Sequence, residues 1–371
     1  MSPKQLRVCC WDLEGPISVV DFAAEMGKLL GSKKELGLQK YDMGEFFFMI
    51  SQYDDYLIDT PGIKEQLGIP EYQPGDTLRV MAPMYVACFT NDELVELAKN
   101  NLGILPGIRE LMALLQKEWE IFVISTSYSQ FAYQVTSELN IPQDHVYCTD
   151  LPLDQLKNSV SNISESVEIL VKEIFQKYLA NDKKLESVIG DLNDFFWKGE
   201  ESDYIKVMNQ IKVRGGKRKE LAVEDISSRT ETPIEKMIAI GDSITDINML
   251  ERLDGEGGIA ISFNGNRFSL KRANTAVTTP NGLGILPIFE HHDDLKKFLK
   301  EWEDFYDSFK DNPKQIPDTL ISKVCKNHFI YYEFVPKIVQ LGTKDSEDMQ
   351  KIIDEQETMR KKVRGWAGKL G

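Results

Sequence analysis

The sequence predicts an α/β protein built on a doubly wound parallel sheet. Short segments that are apolar throughout alternate with amphipathic helices, as in sheets covered by helices on both faces. Acidic residues and turn residues stand at the carboxyl ends of several of these segments. In such sheets, ligands bind at the carboxyl ends of the strands, near the point where the strand order reverses. Two helical blocks interrupt the alternation and a third follows it.

Six short segments are predicted to form the strands. Each is rich in β-branched, aromatic or other apolar residues and is bounded by turn residues. They lie at residues 6–11, 120–125, 145–148, 236–240, 258–263 and 275–278. The core that they define occupies residues 1–20, 102–150 and 212–290.

Helical segments make up the rest of the chain. Residues 21–101 follow a mostly helical pattern, and Asp21 is placed to cap the first helix. Residues 151–211 form a second helical insertion that is polar and to which the sequence assigns no role. Residues 291–371 are helical and charged, and we expect a C-terminal extension that the sheet does not require.

The composition narrows the class of protein. Of 371 residues, 42% are apolar and 28% are charged, as in a globular protein of two or three domains, or of one domain with insertions. The net charge of −15 disfavours binding to nucleic acid, which needs a basic surface. No apolar run approaches the ~20 residues of a membrane helix, and the first residues lack a signal-peptide core. Because the five cysteines are expected to be free thiols, we predict a cytoplasmic protein.

Two pairs of carboxylates lie just past predicted strand ends. Asp12 and Glu14 are separated by one residue and therefore point the same way, and Asp242 and Asp246 follow the strand at 236–240. If the two strands are neighbours, the four carboxylates converge in one crevice, where they cannot all stay ionised without a cation. Oxygen ligands and partial hydration suit magnesium. The sequence therefore predicts a Mg²⁺ site at these four residues.

The remaining candidates suit phosphoryl transfer. Ser125, at the end of the second strand, offers a hydroxyl and a turn N–H to a phosphate, and either Lys217 or Lys219 can neutralise the charge of nucleophile and phosphate. Asp12 is a candidate nucleophile that would form an aspartyl-phosphate. Glu14 is then placed to protonate the leaving oxygen and to activate water. A small phosphorylated substrate is the partner that this chemistry implies.

These motifs, in this order, resemble the four motifs of the haloacid dehalogenase (HAD) superfamily. They are Asp12-Leu-Glu-Gly, Ser125 after an apolar strand, an upstream lysine, and Gly241-Asp-Ser-Ile-Thr-Asp before an apolar helix. The segment Leu105-Pro-Gly-Ile-Arg-Glu-Leu is most similar to the phosphoserine-phosphatase-like branch. The resemblance covers roughly residues 6–20, 102–150 and 212–285 and implies a HAD-like Rossmannoid core.

The resemblance also implies the metal ligands. It makes Asp12 the nucleophile and a magnesium ligand, and it gives the backbone carbonyl of Glu14 to the metal. Asp242 and Asp246 complete the metal shell.

For the other motifs, the resemblance implies that Ser125 binds phosphate. Lys219 lies 23 residues before Asp242, a separation typical of the superfamily, and Lys217 is the alternative. Residues 21–101 stand where the superfamily places a helical cap, which excludes water and selects substrates.

Two departures from the usual pattern leave two functions open. Most phosphatases of the superfamily have Asp at the position of Glu14, and Pro16 replaces the usual Thr. This Glu-Gly-Pro-Ile version resembles archaeal predicted HAD hydrolases, some of them labelled energy-converting hydrogenase A subunit R. One function is a magnesium-dependent phosphatase of a small phosphomonoester. The alternative is a HAD-like accessory or regulatory subunit of a larger complex, with the helices of 291–371 as its docking element.

Less specific features receive simpler interpretations. Gly15 and Thr126 are further candidates for substrate binding, although Thr126 also suits a turn. The pairs His291-His292 and Asp293-Asp294 are expected to form a solvated helix start rather than a metal cluster. A basic cluster near the end of the chain is expected to be a solvated helix end: Arg360, Lys361, Lys362, Arg364 and Lys369.

Overall fold

The computed structural model describes residues 6–199 and 202–369, and its centre is a seven-stranded sheet. The strand order is β3-β2-β1-β4-β5-β6-β7, with all neighbours parallel except β6 and β7. The strands are β1 Arg7–Trp11, β2 Trp119–Tyr128, β3 Val146–Thr149, β4 Ile238–Gly241, β5 Ile259–Phe263, β6 Thr275–Thr278 and β7 Lys337–Gln340. The predicted α/β fold with a doubly wound sheet is therefore confirmed.

The central strand β1 is buried on both faces of the sheet. Val8 and Cys10 contribute to one hydrophobic core, whereas Cys9 and Trp11 contribute to the larger core on the opposite face. This alternation follows from the two-residue repeat of a strand and explains why the whole segment is apolar. Cys10 pairs with residues of both β2 and β4, so β1 lies between the two strands that carry the other motifs.

Helices surround the sheet and form the two insertions. Residues before β2 contain α1 Phe22–Leu30, α2 Met43–Asp59, α3 Ile63–Leu67, α4 Thr77–Cys88, α5 Asn91–Asn100 and α6 Ile108–Leu115. Between β2 and β4 lie α7 Ser129–Glu138, α8 Leu153–Asn158, α9 Ile163–Ile169, α10 Gln176–Ala180, α11 Ile189–Asn193, α12 Asp203–Gln210 and α13 Lys217–Thr230. The remaining helices are α14 Ile247–Glu256, α15 Arg267–Leu270, α16 Leu286–Glu290, α17 Leu295–Asp311, α18 Lys323–Tyr331 and α19 Ser346–Arg364.

The two insertions pack against each other and share one core. The Tyr53 hydroxyl of α2 donates a hydrogen bond to the Asn193 amide oxygen, 2.6 Å away. The Tyr204 hydroxyl of α12 donates to the backbone carbonyl of Val80 in α4, at 2.8 Å. Both tyrosines are buried among apolar side chains from both insertions. Residues 151–211, which had no assigned role, therefore complete the helical layer that residues 21–101 begin.

The C-terminal extension belongs to the sheet, which corrects the expectation that the sheet does not require it. Strand β7 pairs antiparallel with β6, and Val339 lies opposite Ala276. The sequence prediction missed this strand because it is short and lies between charged helices. Ile352 of α19 then packs in the core beneath β7, so the last helix is held against the sheet.

The helices of the protein lack the features of membrane spans within the part of the chain that the structure describes. In residues 6–199 and 202–369, no helix combines the length and the apolar character needed to cross a membrane. Residues 1–5 of the predicted core lie outside the described residues.

Candidate active site

A cavity of about 140 Å³ lies at the carboxyl ends of β1, β2 and β4. Core residues form its floor and residues of the cap helices form its roof. It is lined by Asp12, Glu14, Asp21, Ala23, Phe47, Ser51, Asp54, Asp55, Gly75, Thr77, Leu78, Ser125, Thr126, Ser127, Tyr128, Asp242, Ser243, Ile244, Thr245, Arg360 and Arg364. The strand order reverses at this edge, which is where such sheets bind ligands.

Three buried carboxylates meet at the floor of the cavity. Asp12 follows β1, Asp242 follows β4, and Asp246 ends the helical turn before α14. One oxygen from each lies within 4.8 Å of the others. In the described part of the chain, this is the one group of three or more acidic, histidine or cysteine side chains with that spacing. The paired strands β1 and β4 bring Asp12 together with Asp242 and Asp246, whereas the carboxylate of Glu14, the fourth residue of the predicted group, is not part of this cluster.

Lys219 connects two of these carboxylates. Its Nζ lies 2.7 Å from Asp12 Oδ1 and 2.6 Å from Asp246 Oδ1, and its side chain is fully buried. Burial lowers its pKa, but the attraction of Asp12 and Asp246 outweighs that effect and leaves the pKa raised, so the lysine is charged. Ala222, Val223 and Ile226 are buried on the same helix and fix the face that points inward.

Lys217, the alternative lysine, lies outside the cavity. Its side chain is half exposed and its Nζ forms an ion pair with Glu220, 2.5 Å away. The two lysines are on the same helix but two residues apart, which separates them by about 200° around the helix axis. The structure therefore places Lys219, and not Lys217, beside the carboxylates.

Some carboxylate oxygens of the cluster accept hydrogen bonds, whereas others have no hydrogen-bond donor. Asp246 Oδ2 accepts hydrogen bonds from the backbone N–H groups of Asp242 and Ser243, both at 3.0 Å, while its Oδ1 receives Lys219. Asp242 Oδ1 is buried without a hydrogen bond, and no hydrogen bond from the described residues reaches Asp12 Oδ2. Two unpaired carboxylate oxygens in a buried acidic cluster are the donor set that a hard cation takes, so these residues fit Mg²⁺.

The pKa of Asp12 is raised to about 7. Burial is the largest cause, and the neighbouring carboxylate of Asp246 adds to it, whereas Lys219 lowers the pKa. A cation would favour the charged form, because positive charge near a carboxylate stabilises its ionised state.

Glu14 lies in the same cavity as Asp12. Its Oε1 accepts a hydrogen bond from the backbone N–H of Phe22 at 3.3 Å. Burial and the nearby Asp21 raise its pKa to about 8, while Ser127 and Arg364 act in the opposite direction. A carboxyl group with this pKa holds a proton at neutral pH, which suits a general acid.

Ser125 and Thr126 occupy different positions at the end of β2. Ser125 is buried in the cavity wall, and its Oγ accepts a hydrogen bond from the backbone N–H of Ser127. The hydroxyl of Thr126 donates to the carbonyl of Arg214, so it supports a neighbouring loop while the residue lines the cavity. Ser127 lines the cavity and its side chain lowers the pKa of Glu14, so it is a further candidate for ligand binding that the sequence did not indicate.

Gly15 is required by the closeness of Asp242. Its φ is +117°, and a Cβ atom at this position would lie 2.0 Å from Asp242 Oδ2. Only glycine accommodates both the backbone conformation and this contact. Gly15 therefore allows the β1 and β4 loops to approach each other.

Two arginines at the end of α19 complete the site, which corrects the expectation of a solvated basic cluster. Arg360 and Arg364 are 3% and 9% exposed, and both guanidinium groups contact Asp242 Oδ2. Lys361 and Lys362 are exposed, as expected, and the side chain of Lys369 lies outside the described residues. The sequence feature that could have indicated this buried face is the spacing of four residues between Ile352 and the residues that follow it. Because those residues are polar or charged, the same spacing also suits a solvent-facing stripe.

The cap supplies the roof of the cavity. Phe47 lines it, whereas Phe46 is buried in the cap core and Phe48 is 41% exposed. The loop at Gly75 reaches the core, because a Cβ atom there would lie 2.7 Å from Thr126. The three adjacent phenylalanines thus have three different environments, which periodicity did not separate.

The histidine pair belongs to a different region. His291 Nδ1 lies 3.2 Å from Asp294 Oδ1, and its Nε2 lies 2.6 Å from the carbonyl of Leu320. The network stands before α17, as predicted, and Asp293 and Asp294 are exposed. The two histidine side chains are only 20% and 15% exposed, which corrects the expectation that they are solvated.

Comparisons with known proteins agree with this architecture. The sequence model of the haloacid dehalogenase-like hydrolase family matches residues 107–289. A gene product of Archaeoglobus fulgidus has a similar structure, with a TM-score of 0.74, 23% identity and 99% of each chain covered. A phospho-aspartyl intermediate analogue of phosphoserine phosphatase aligns with a TM-score of 0.45 and 13% identity, over 76% of this chain and 98% of that one.

No curated protein sequence matches the chain. The resemblance that the four motifs indicated is confirmed at the level of the superfamily by the family match and the shared fold. Over residues 107–289, the chain is similar to the haloacid dehalogenase-like hydrolase family.

Proposed function

We propose that the protein is a magnesium-dependent phosphatase that hydrolyses a small phosphomonoester through an aspartyl-phosphate on Asp12. The observation that carries this proposal is the buried arrangement of Asp12, Lys219 and Asp246 beside the unpaired Oδ1 of Asp242. A cation, a fixed lysine and a carboxylate nucleophile are the components that phosphoryl transfer to a carboxylate needs.

In the first step, a carboxylate oxygen of Asp12 attacks phosphorus and the ester P–O bond breaks. Lys219 holds Asp12 through Oδ1 and so fixes the orientation of the carboxylate for this attack. Ser125, in the cavity wall, supplies a hydroxyl to a phosphate oxygen. Asp12, Asp242 and the backbone of Glu14 would hold Mg²⁺, which would neutralise charge on the carboxylates and on the phosphate.

Glu14 supplies and then recovers the proton. Its pKa of about 8 leaves it protonated at neutral pH, so it can give a proton to the departing alkoxide. The resulting carboxylate takes a proton from water, and the oxygen of that water attacks phosphorus. The P–O bond to Asp12 breaks, which releases inorganic phosphate and restores both carboxyl groups.

The cavity volume agrees with a small substrate. At about 140 Å³, the space between core and cap accommodates a phosphate group with a short organic part. The acidic residues Asp21 and Asp55 on the cap side disfavour additional negative charge on that part of the substrate.

Hydrolysis of p-nitrophenyl phosphate and of a panel of small phosphomonoesters, with Mg²⁺ and with chelator, tests the proposal. We expect magnesium-dependent turnover that Asp12→Asn abolishes and that Asp59→Asn, an exposed change on α2, leaves unaffected. Phosphate covalently bound to the wild type but not to Asp12→Asn, after an acid quench, would support the aspartyl-phosphate.

The alternative, a non-catalytic accessory or regulatory subunit, predicts a different result. It predicts no turnover on the whole panel by a folded protein, together with association with a larger complex. The burial of α19 against Asp242 means that residues 291–371 cannot be deleted as an independent docking element without disturbing the candidate site.

A further inference from the structure

The C-terminal helix α19 is fixed against the core by one buried face. Ile352, Gln356, Arg360 and Arg364 are spaced four residues apart and are all buried. Gln356 Oε1 accepts hydrogen bonds from the backbone N–H of Gly265, at 2.6 Å, and from the hydroxyl of Ser262, at 3.2 Å. These contacts set the height and rotation of the helix, so the two guanidinium groups arrive at the cavity in a defined position.

Both arginines act on a single oxygen of Asp242. Arg360 donates to Asp242 Oδ2 and, from the same nitrogen, to the Asp242 backbone carbonyl at 3.1 Å. Arg364 donates to Oδ2 at 3.1 Å, and its Nε donates to the carbonyl of Val19 at 3.4 Å. The backbone of Gly15 also lies against this oxygen, since a Cβ atom on Gly15 would be 2.0 Å from Asp242 Oδ2. Oδ2 is therefore enclosed by protein.

The other oxygen of Asp242, Oδ1, lacks such contacts. Oδ1 is buried and has no hydrogen-bond partner, and Asp242 belongs to the cluster with Asp12 and Asp246. A buried carboxylate oxygen without a partner costs free energy that a ligand can recover. The asymmetry between the two oxygens indicates a carboxylate whose rotation is fixed and whose free oxygen is kept for a ligand.

We propose that Arg360 and Arg364 are positioning residues that hold Asp242 by Oδ2 and so present Oδ1 to the cation. This inference rests on the proposed magnesium site and adds the C-terminal helix to it. Groups that orient a metal ligand contribute to metal affinity although they do not touch the metal, typically about 10- to 100-fold.

Geometry and charge make opposite predictions for Arg→Lys variants. If the arginines hold Asp242 by their forked geometry, lysine keeps the charge but has only one nitrogen. It therefore cannot make the two contacts that Arg364 makes, from NH1 to Asp242 Oδ2 and from Nε to the Val19 carbonyl. If they only offset negative charge, lysine is an adequate replacement. If they compete with the cation for Asp242, weakening the arginine contact strengthens cation binding. The conservative substitution therefore separates the three roles.

Calorimetric titration of the full chain with Mg²⁺ provides a test that does not depend on turnover. We expect Arg360→Lys and Arg364→Lys each to weaken Mg²⁺ binding by about 10-fold. Lys361→Ala, an exposed change on the same helix, should leave the affinity at the wild-type value. Circular dichroism and thermal unfolding of the metal-free proteins check that each variant is folded. If Arg360→Lys does not fold, Arg364→Lys alone provides the test.

The outcomes distinguish this inference from the proposed function. Wild-type affinity in both folded Arg→Lys variants would overturn the positioning role and leave the magnesium site intact. Tighter binding in either variant would also overturn it, in favour of competition between arginine and cation. A wild type that binds no Mg²⁺ would overturn the magnesium site itself and, with it, the role of the arginines.

Discussion

Lys219 and Asp12 lie 207 residues apart in the sequence and form a buried ion pair, with Nζ 2.7 Å from Oδ1. The pair joins α13 to the end of β1, and Asp246 extends it to the loop after β4. Because a buried charge is stable only with its partners, this contact fixes both the local structure and the charge of the candidate nucleophile.

Replacing Lys219 by methionine should affect both activity and stability. It leaves Asp12 and Asp246 without their shared cation, which typically costs about 3–5 kcal/mol for a buried pair. We also expect kcat to fall by roughly 10²- to 10³-fold, because positive charge beside the phosphate is lost. Lys217→Met is the matched control on the same helix, and phosphatase assays with urea unfolding measure both quantities. Equal losses in the two variants would contradict the assignment.

Replacing Gly15 by alanine should disturb the position of Asp242. The new Cβ atom would lie 2.0 Å from Asp242 Oδ2, and the φ of +117° is strained for alanine by about 1–3 kcal/mol. We expect a lower melting temperature and weaker Mg²⁺ binding. Gly255→Ala, on α14 with open space around its Cβ position, should be neutral or slightly stabilising. Unchanged Mg²⁺ binding by Gly15→Ala would show that Asp242 is not a metal ligand.

Arg218 and Asp76 connect the core to the cap. The guanidinium NH1 and NH2 groups lie 2.6 and 3.3 Å from the two oxygens of Asp76, whose side chain is fully buried. Arg218→Ala should destabilise the protein by about 3 kcal/mol, since a buried carboxylate loses its main cation. Arg272→Ala removes an exposed ion pair and should cost less than about 1 kcal/mol. Urea unfolding of both variants measures the difference, and similar losses would show that the Asp76 contact is weak.

Asp54 should make stability depend on pH. Burial raises its pKa to about 7, while the Tyr72 hydroxyl, 2.5 Å from Oδ1, lowers it, and Asp55 and Asp76 raise it. The folded protein then keeps a proton that the unfolded chain loses above pH ~4. The contribution of Asp54 to stability is therefore present at low pH and is lost as the pH rises through about 7.

Replacing Asp54 by asparagine removes this dependence. Relative to wild type, Asp54→Asn should gain stability by up to about 4 kcal/mol between pH 4 and pH 8, because three pKa units correspond to that free energy. Urea unfolding at several pH values measures the gain, with Asp59→Asn on the same helix as the exposed control. A constant difference between Asp54→Asn and wild type across this range would show that Asp54 ionises normally.

Six of the seven strands and the order of the motifs could be predicted from the sequence. Strand β4 is apolar over its whole length, and β6 consists of β-branched residues and alanine. These local properties can be recognised without knowledge of the neighbouring strands. Asp12 and Asp242 stand directly after such strands, so their convergence followed once the strands were taken as adjacent. The distance in sequence to Asp242 limited the candidate lysines to Lys217 and Lys219. The direction of each side chain in the folded protein was needed to choose between them.

The role of the C-terminal segment could be recognised only once its contacts in the folded chain were known. Arg360 and Arg364 lie on a helix whose charged residues suit a solvent-facing surface, and their burial depends on Asp242, 118 and 122 residues away. In the same way, β7 is short and becomes a strand because β6 offers it a free edge. A hydrophobic segment indicates its own burial, whereas a charged one is buried only where distant partners compensate its charge, and those partners are brought together only by the fold.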